Sequence, residues 1–281
     1  MTYYNSLLIH DPLRRILQTA YKFSLLSVFS ILMLLASSCE KVIDPDLKIA
    51  EPALVIDGSI NDQLENHLVK ISKTIPFDQD NTFNGVKGAK VTLSAVNKTP
   101  IIFAEVTDGV YRSPRFRGVP GTTYNLEVIA EGTTYKASST MPLPVKPDSI
   151  SFKRLTFLGK SNVYPAVYYK DPPLVQNQYR YVLYVNHKFT ADIVTEDRFN
   201  NGNSVSDLIL YEGDGIEHGD RVDLETQTID RNVFKYYFAI SQISGNGGPP
   251  VAPSNPVSNF DNGALGIFNA CTKSASSLTL K

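Results

Sequence analysis

The sequence predicts an all-β chain: two β-sandwich domains of immunoglobulin or fibronectin type behind a cleaved leader. Three observations carry this. Val, Ile and Thr gather in short runs that alternate apolar with polar residues, as half-buried strands require. Turn residues interrupt those runs about every 8–12 residues, the spacing of a sandwich. Tyr and Phe, both frequent in strands, number 15 and 14 among 281 residues, while Trp is absent.

The first domain is expected over residues 53–143. The stretch ALVIDGSI (53–60) reads as a strand ending in a turn at Asp57-Gly58. In NHLVKISKTI the apolar set falls on the odd positions Val69, Ile71 and Ile75. A polar loop follows over 78–88. In AKVTLSAVN, Val91, Leu93 and Ala95 oppose Lys90, Thr92 and Ser94. PIIFAEVTDGVYRS gives a strand, an Asp-Gly turn and a short return strand. The hairpin signal is clearest at 122–142, where Tyr124, Leu126, Val128 and Ala130 alternate and Tyr135, Ala137 and Ser139 return. Glu131-Gly132 makes its turn, since glycine accepts positive φ without steric cost.

MPLPVKPDSI (141–150) carries three prolines in seven residues, and proline removes a ladder donor. The domain boundary is placed here, with the second domain over 144–281. Its strands are expected at ISFKRLTFL, VYPAVYYKD, QYRYVLYVNHKFT (apolar on both faces, hence central), DRVDLETQTI and finally ALGIFNACT. RNVFKYYFAISQI (231–243) fits two periods. Phe234, Tyr237 and Phe238 lie at helical spacing, whereas Phe234, Tyr236, Phe238 and Ile240 fit a strand. A short helix capped by Asp230 is the preferred reading. The following stretch, through Gly263, reads as a loop.

The amino terminus locates the protein. Phe23–Ala36 is an apolar run preceded by Arg14, Arg15 and Lys22. It is shorter than the roughly 20 residues of a membrane span and suits a signal peptide, here 1–38. LMLLASSCEK (32–41) then resembles the lipobox of bacterial lipoproteins, with Cys39 as the acylated residue and Ala36 where leucine is usual. Each buried acyl methylene contributes about 0.8 kcal/mol, so two or more chains hold a domain to a leaflet. Residues 39–52, with Glu40, Asp44, Asp46 and Glu51, read as a tether. The acidic residues resemble an export signal to the outer leaflet, so the expected location is the outer membrane, on its periplasmic or cell-surface face.

Charge and motifs bound the chemistry. The chain has 27 basic and 28 acidic residues, and three of the former with one of the latter precede Cys39. The mature chain thus carries a net charge of about −3, without the basic stripe that nucleic acid demands. EGDGIEHGD (212–220) is the candidate calcium loop, with Glu212, Asp214, Glu217 and Asp220 as oxygen donors. Its spacing is not that of an EF-hand, and a solvated loop uses the same letters. SGNGGPP (244–250) lacks the Gly-Lys-Ser/Thr of a phosphate loop, which leaves a surface loop. Asn246, Gly247, Gly248, Pro249 and Pro250 are its candidate recognition residues. His10 leaves with the signal, and His67, His187 and His218 form no metal or triad motif. Cys271 follows an apolar run and reads as a buried thiol. With Cys39 acylated it has no disulfide partner. Tyr164, Tyr168, Tyr169, Tyr179, Tyr181, Tyr184, Tyr236 and Tyr237 crowd the second domain, either as core or as an exposed platform for sugars or peptides.

Several stretches, in order, resemble one family: the lipobox with VIDPDLK, LVIDGSI, KGAKVTL, DGVYRS, GTTYNLEV with EGTTYKASSTMP, DSISF, and PPVAPSNPVSNFDNGALGIF. The chain is similar over about Cys39–Ala270 to the Bacteroidetes lipoproteins of the domain of unknown function 4249 family. The resemblance implies a cell-envelope lipoprotein, often encoded beside a TonB-dependent outer-membrane receptor, and hence a part in nutrient uptake. It implies no activity.

The expectation is therefore a non-catalytic, lipid-anchored accessory without a cofactor, which captures a ligand or docks on a TonB-dependent receptor. Two alternatives remain open: an envelope protein that holds partners by sheet edges, and a carbohydrate-active hydrolase whose carboxylates meet only in the fold.

Overall fold

The computed structural model describes residues 20–27, 51–76, 79–80, 82–157, 159–197, 202–211, 213, 215–243 and 255–281. Residues 20–27 are helical (α1) and belong to the unit Met1–Ile49, while Ala50–Lys281 forms one compact unit. No helix among the described residues is long and apolar enough to cross a membrane.

The compact unit is built of strands. The first set is β1 (Leu54–Asn61), β2 (Leu68–Lys73), β3 (Lys90–Ala95), β4 (Ile101–Thr107), β5 (Val110–Arg112), β6 (Thr123–Ala130) and β7 (Thr133–Thr140). The second is β8 (Ser149–Phe157), β9 (Lys160–Lys170), β10 (Gln178–Val185), β11 (Lys188–Glu196), β12 (Ser204–Leu208) and β13 (Arg221–Ile229). Helix α2 (Arg231–Ile243) and a long last strand, β14 (Leu265–Thr279), follow. Strands β11-β10-β13-β14-β1-β2-β5-β4-β3-β6-β7 make an eleven-stranded sheet, and β12-β9-β8 make a three-stranded one. The protein is all-β in class, with sandwich-like sheets.

Local sequence explains most elements. The expected alternation holds, with Val69, Ile71, Val91, Leu93, Leu126 and Val128 buried. Glu131 and Gly132 turn the β6–β7 hairpin with φ of 50° and 81°. Asp230 Oδ1 accepts from the backbone N–H groups of Asn232 and Val233, the N-cap that starts α2.

Four details differ from the sequence reading. Asp57-Gly58 is not a turn. Both residues lie inside β1, which pairs antiparallel with β2 and parallel with β14. Space is tight there: a Cβ at Gly58 would sit 3.0 Å from the end of the Leu126 side chain of β6, which would have to give by a few tenths of an ångström. Second, QYRYVLYVNHKFT is not one strand. Asn186 and His187, with φ of 50° and 64°, fold it into the β10–β11 hairpin. Third, β12 carries too little apolar alternation to announce itself. Fourth, β14 continues past Thr272 to Thr279 along β13.

Strand β14 also decides the organisation. One core gathers Ile56, Val69, Leu93, Tyr111 and Leu126 of the first set around Phe268 and Ala270 of β14. A second packs Val167 and Tyr169 of β9 and Val205 of β12 on Tyr179, Tyr181, Leu183 and Leu224 of β10 and β13. A small third core puts Val233 and Phe234 of α2 on Ile229, Ile267 and Cys271. Residues 264–272, expected in the domain over 144–281, complete the sheet and core of the first strand set. The strand sets before and after 141–148 thus form one compact unit with two main cores.

Candidate functional site

Many of the sequence's candidates serve the framework. Tyr169 and Tyr181 donate to Asp207 Oδ2 at 3.0 and 2.7 Å, and Tyr179 donates to Asp171 Oδ1 at 2.6 Å. All three rings are buried, so no platform forms from them. Burial, with the carboxylates, pushes their phenols above the ordinary range. His67 is buried, edge-on to Phe116 with its Nε2 3.1 Å from the Phe116 carbonyl oxygen. Burial lowers its pKa. His187 stands in the β10–β11 turn and His218 on an exposed loop. Cys271 is buried and free, and burial pushes its thiol up to about 12.

Cys39, Glu212, Asp214 and Asn246, Gly247, Gly248, Pro249 and Pro250 lie outside the described residues. Of the calcium loop, Glu217 is exposed, and Asp220 is engaged by its neighbours. Its Oδ2 accepts from the Glu217 N–H and its Oδ1 from Asn186 Nδ2, both at 2.8 Å. Those bonds hold its carboxyl below the usual range and tie the loop to the β10–β11 turn. No group of three or more His, Cys, Asp and Glu placed to hold a metal occurs among the described residues.

The candidate site is a groove beside β11. Among the described residues this strand ends the large sheet and pairs on one side only, with β10. Helix α2 and the segment after β12 rise beside it, enclosing about 360 Å³ lined by Phe189, Ile193, Leu210, Tyr211, Tyr237 and Ile240. Phe189 and Leu210 are more than half exposed, at 57% and 54%. Tyr237 is positioned from below. The Arg180 guanidinium lies 3.8 Å from its ring centroid, within cation–π range. Arg180 is held in turn by Asp192 through Nε at 2.8 Å and Nη2 at 2.5 Å. Burial lowers the pKa of Arg180, and Asp192 more than offsets this, so the guanidinium stays charged. The arrangement offers an edge-strand backbone, a wall of aromatic and aliphatic side chains and a rigid floor. An extended segment seated there gains strand pairing and apolar burial together.

Sequence reasoning missed this site because it read β10 and β11 as one strand. The available signal was Asn186, a residue that tolerates left-handed φ, placed between two alternating runs.

The opposite edge is closed. The segment after the loop pairs with β7 at Ala137↔Phe260, and Asp261 exchanges hydrogen bonds with the Lys136 backbone. A polar groove of about 620 Å³ lies there, lined by Asn125, Glu127, Lys136, Asn259 and Asp261 among others.

Two solved structures resemble the chain in part. A two-domain fibronectin type III segment from chicken tenascin is 13% identical, with a TM-score of 0.22, over 63% of this chain and 91% of that one. The adhesin InvE of Yersinia pseudotuberculosis is 12% identical, with a TM-score of 0.21, over 81% of this chain and 58% of that one. No curated protein matches. The profile described as Domain of unknown function (DUF4249) matches residues 40–277, and the chain belongs to that family.

Proposed function

We propose that this protein is a lipid-anchored accessory of the outer membrane that docks, without catalysis, on a TonB-dependent receptor through the β11 edge. The observation that supports the reading is the apolar groove alongside a strand that, among the described residues, is paired on one side only. Monomeric proteins normally cover or charge such edges. The lipobox at Cys39 and the tether behind it supply the anchor. The other groove supports a second reading, capture of a polar ligand, because Glu127, Lys136, Asn259 and Asp261 offer donors and acceptors there.

The test is a mild-detergent pull-down of the tagged chain from its own outer membrane, with mass spectrometry of what accompanies it. A stoichiometric TonB-dependent receptor, lost with Phe189→Asp, is the expected result. A receptor retained by that variant moves the interface away from β11. Recovery of the protein alone, or with envelope scaffolds, overturns the uptake reading.

A further inference from the structure

Strand β11 carries a charge pattern that complements a second copy of itself. It reads KFTADIVTE over Lys188–Glu196, with its cation first, one anion last and Asp192 at the centre. Lys188 and Phe189 are exposed, and the side chains from Thr190 to Glu196 are half-buried. Strand β10 takes the backbone groups on one side of β11. Among the described residues no strand takes those on the other side.

Consider β11 laid antiparallel on β11 of a second copy, centred on Asp192. Directly opposed residues of such a pair share a face of the sheet. Lys188 then meets Glu196 of the other copy, and by symmetry this happens at both ends. Phe189 meets Thr195, Thr190 meets Val194, and the small Ala191 meets the larger Ile193. These are aromatic and β-branched pairs of the kind that stabilise sheets. The two Asp192 carboxylates meet at the centre, and each is neutralised by its own Arg180, which donates to it at 2.8 and 2.5 Å. A slip of two residues either way puts Lys188 opposite Val194 or Glu196 opposite Thr190, so the charges lose their partners. A slip of one residue sets opposed side chains on different faces.

We infer that β11 pairs with β11 of a second copy, in this register, and joins two large sheets into one across a two-fold axis. The pair satisfies the outward backbone groups of the edge and covers Phe189. Residues 39–52, the expected tether, reach about 46–50 Å when extended, so antiparallel copies can share one leaflet. Self-pairing and the proposed receptor contact use the same edge and exclude each other. That exclusion rests on the docking reading, whereas the self-pair stands on β11 alone.

The first test is sedimentation of the full mature chain carrying Cys39→Ala, without detergent or receptor. A monomer–dimer equilibrium in the micromolar range is expected. Lys188→Glu and Glu196→Lys should each raise its dissociation constant about tenfold, since each turns two cross-copy attractions into repulsions. The double variant Lys188→Glu/Glu196→Lys should restore it, which a merely misfolded single variant could not explain. The second test is mild oxidation of Thr190→Cys/Val194→Cys in the protein's own membranes. Opposed Cα atoms lie about 4.5–5.5 Å apart in such a pair, within disulfide reach. Covalent dimers are expected, and none from the parent chain. A chain that stays monomeric overturns the self-pair and leaves the receptor reading standing. A dimer that both single charge reversals leave unchanged overturns it in favour of another surface. A pull-down that recovers no receptor removes the docking reading and leaves these results as they are.

Discussion

The carboxylate of Asp230 divides its oxygens between the helix it starts and a strand it does not belong to: Oδ1 caps α2, and Oδ2 accepts from the Ser139 hydroxyl of β7. The Thr140 N–H reaches the same Oδ2 at 3.2 Å, and Ser139 Oγ accepts in turn from the Ala270 N–H at 3.0 Å. One side chain thus links α2, β7 and β14. Asp230→Ala should cost about 1–2 kcal/mol for the cap alone, and more for the lost link. Asp230→Asn keeps the cap and should recover much of it. Urea midpoints of the three proteins decide; equal midpoints would show that the link is idle.

Gly266 opens β14 with φ of 95°, and a Cβ there would collide with the backbone carbonyl of Ile56 in β1. Backbone cannot move aside as a side-chain end can. Gly266→Ala should destabilise by at least about 2 kcal/mol through combined φ strain and overlap. Thermal unfolding tests this, and an unchanged Tm would mean that β1 and β14 separate without penalty.

His67 makes stability depend on pH. Its folded pKa is depressed, by burial first, while the Phe116 carbonyl and Glu65 oppose the shift. The unfolded chain therefore binds the proton more readily. The stability contributed is present above the unfolded value, about 6.5, and is lost as pH falls through the folded value. Wild type should lose up to about 1.4 kcal/mol per pH unit in that window relative to His67→Gln. Parallel curves for the two proteins between neutral and mildly acidic pH would refute this.

Cys271 should be inert to thiol reagents in the native state. It is 1% exposed, and its raised pKa leaves little thiolate near neutrality. With Cys39 acylated, labelling of the chain should follow the rate of unfolding and accelerate in denaturant. Rapid native labelling would point to an accessible thiol.

Cys39→Ala should release the protein from the membrane fraction, since the anchor is expected on that thiol. Retention in the membrane after this change would remove the lipid from the proposal.

The amino-acid order alone determined what depends on near neighbours. Alternation placed β2, β3, β6 and β7, Glu131-Gly132 placed their tightest turn, the prolines of 141–148 ended the ladder, and Asp230 announced α2. Each signal lies within a few residues, where dihedral preference and strand period act. Tertiary structure decided the rest. The β1–β14 parallel pair joins Val55 to Leu265 across the whole fold, and no local period encodes such a partner. The same holds for the groove at β11, which exists only because α2 and the segment after β12 fold beside an edge. It holds again for Ser139 and Asp230, which are 91 residues apart in the chain and whose side chains bond in the fold. A carboxylate in a polar stretch looks solvated until packing removes its water, and that removal is a property of the assembled core.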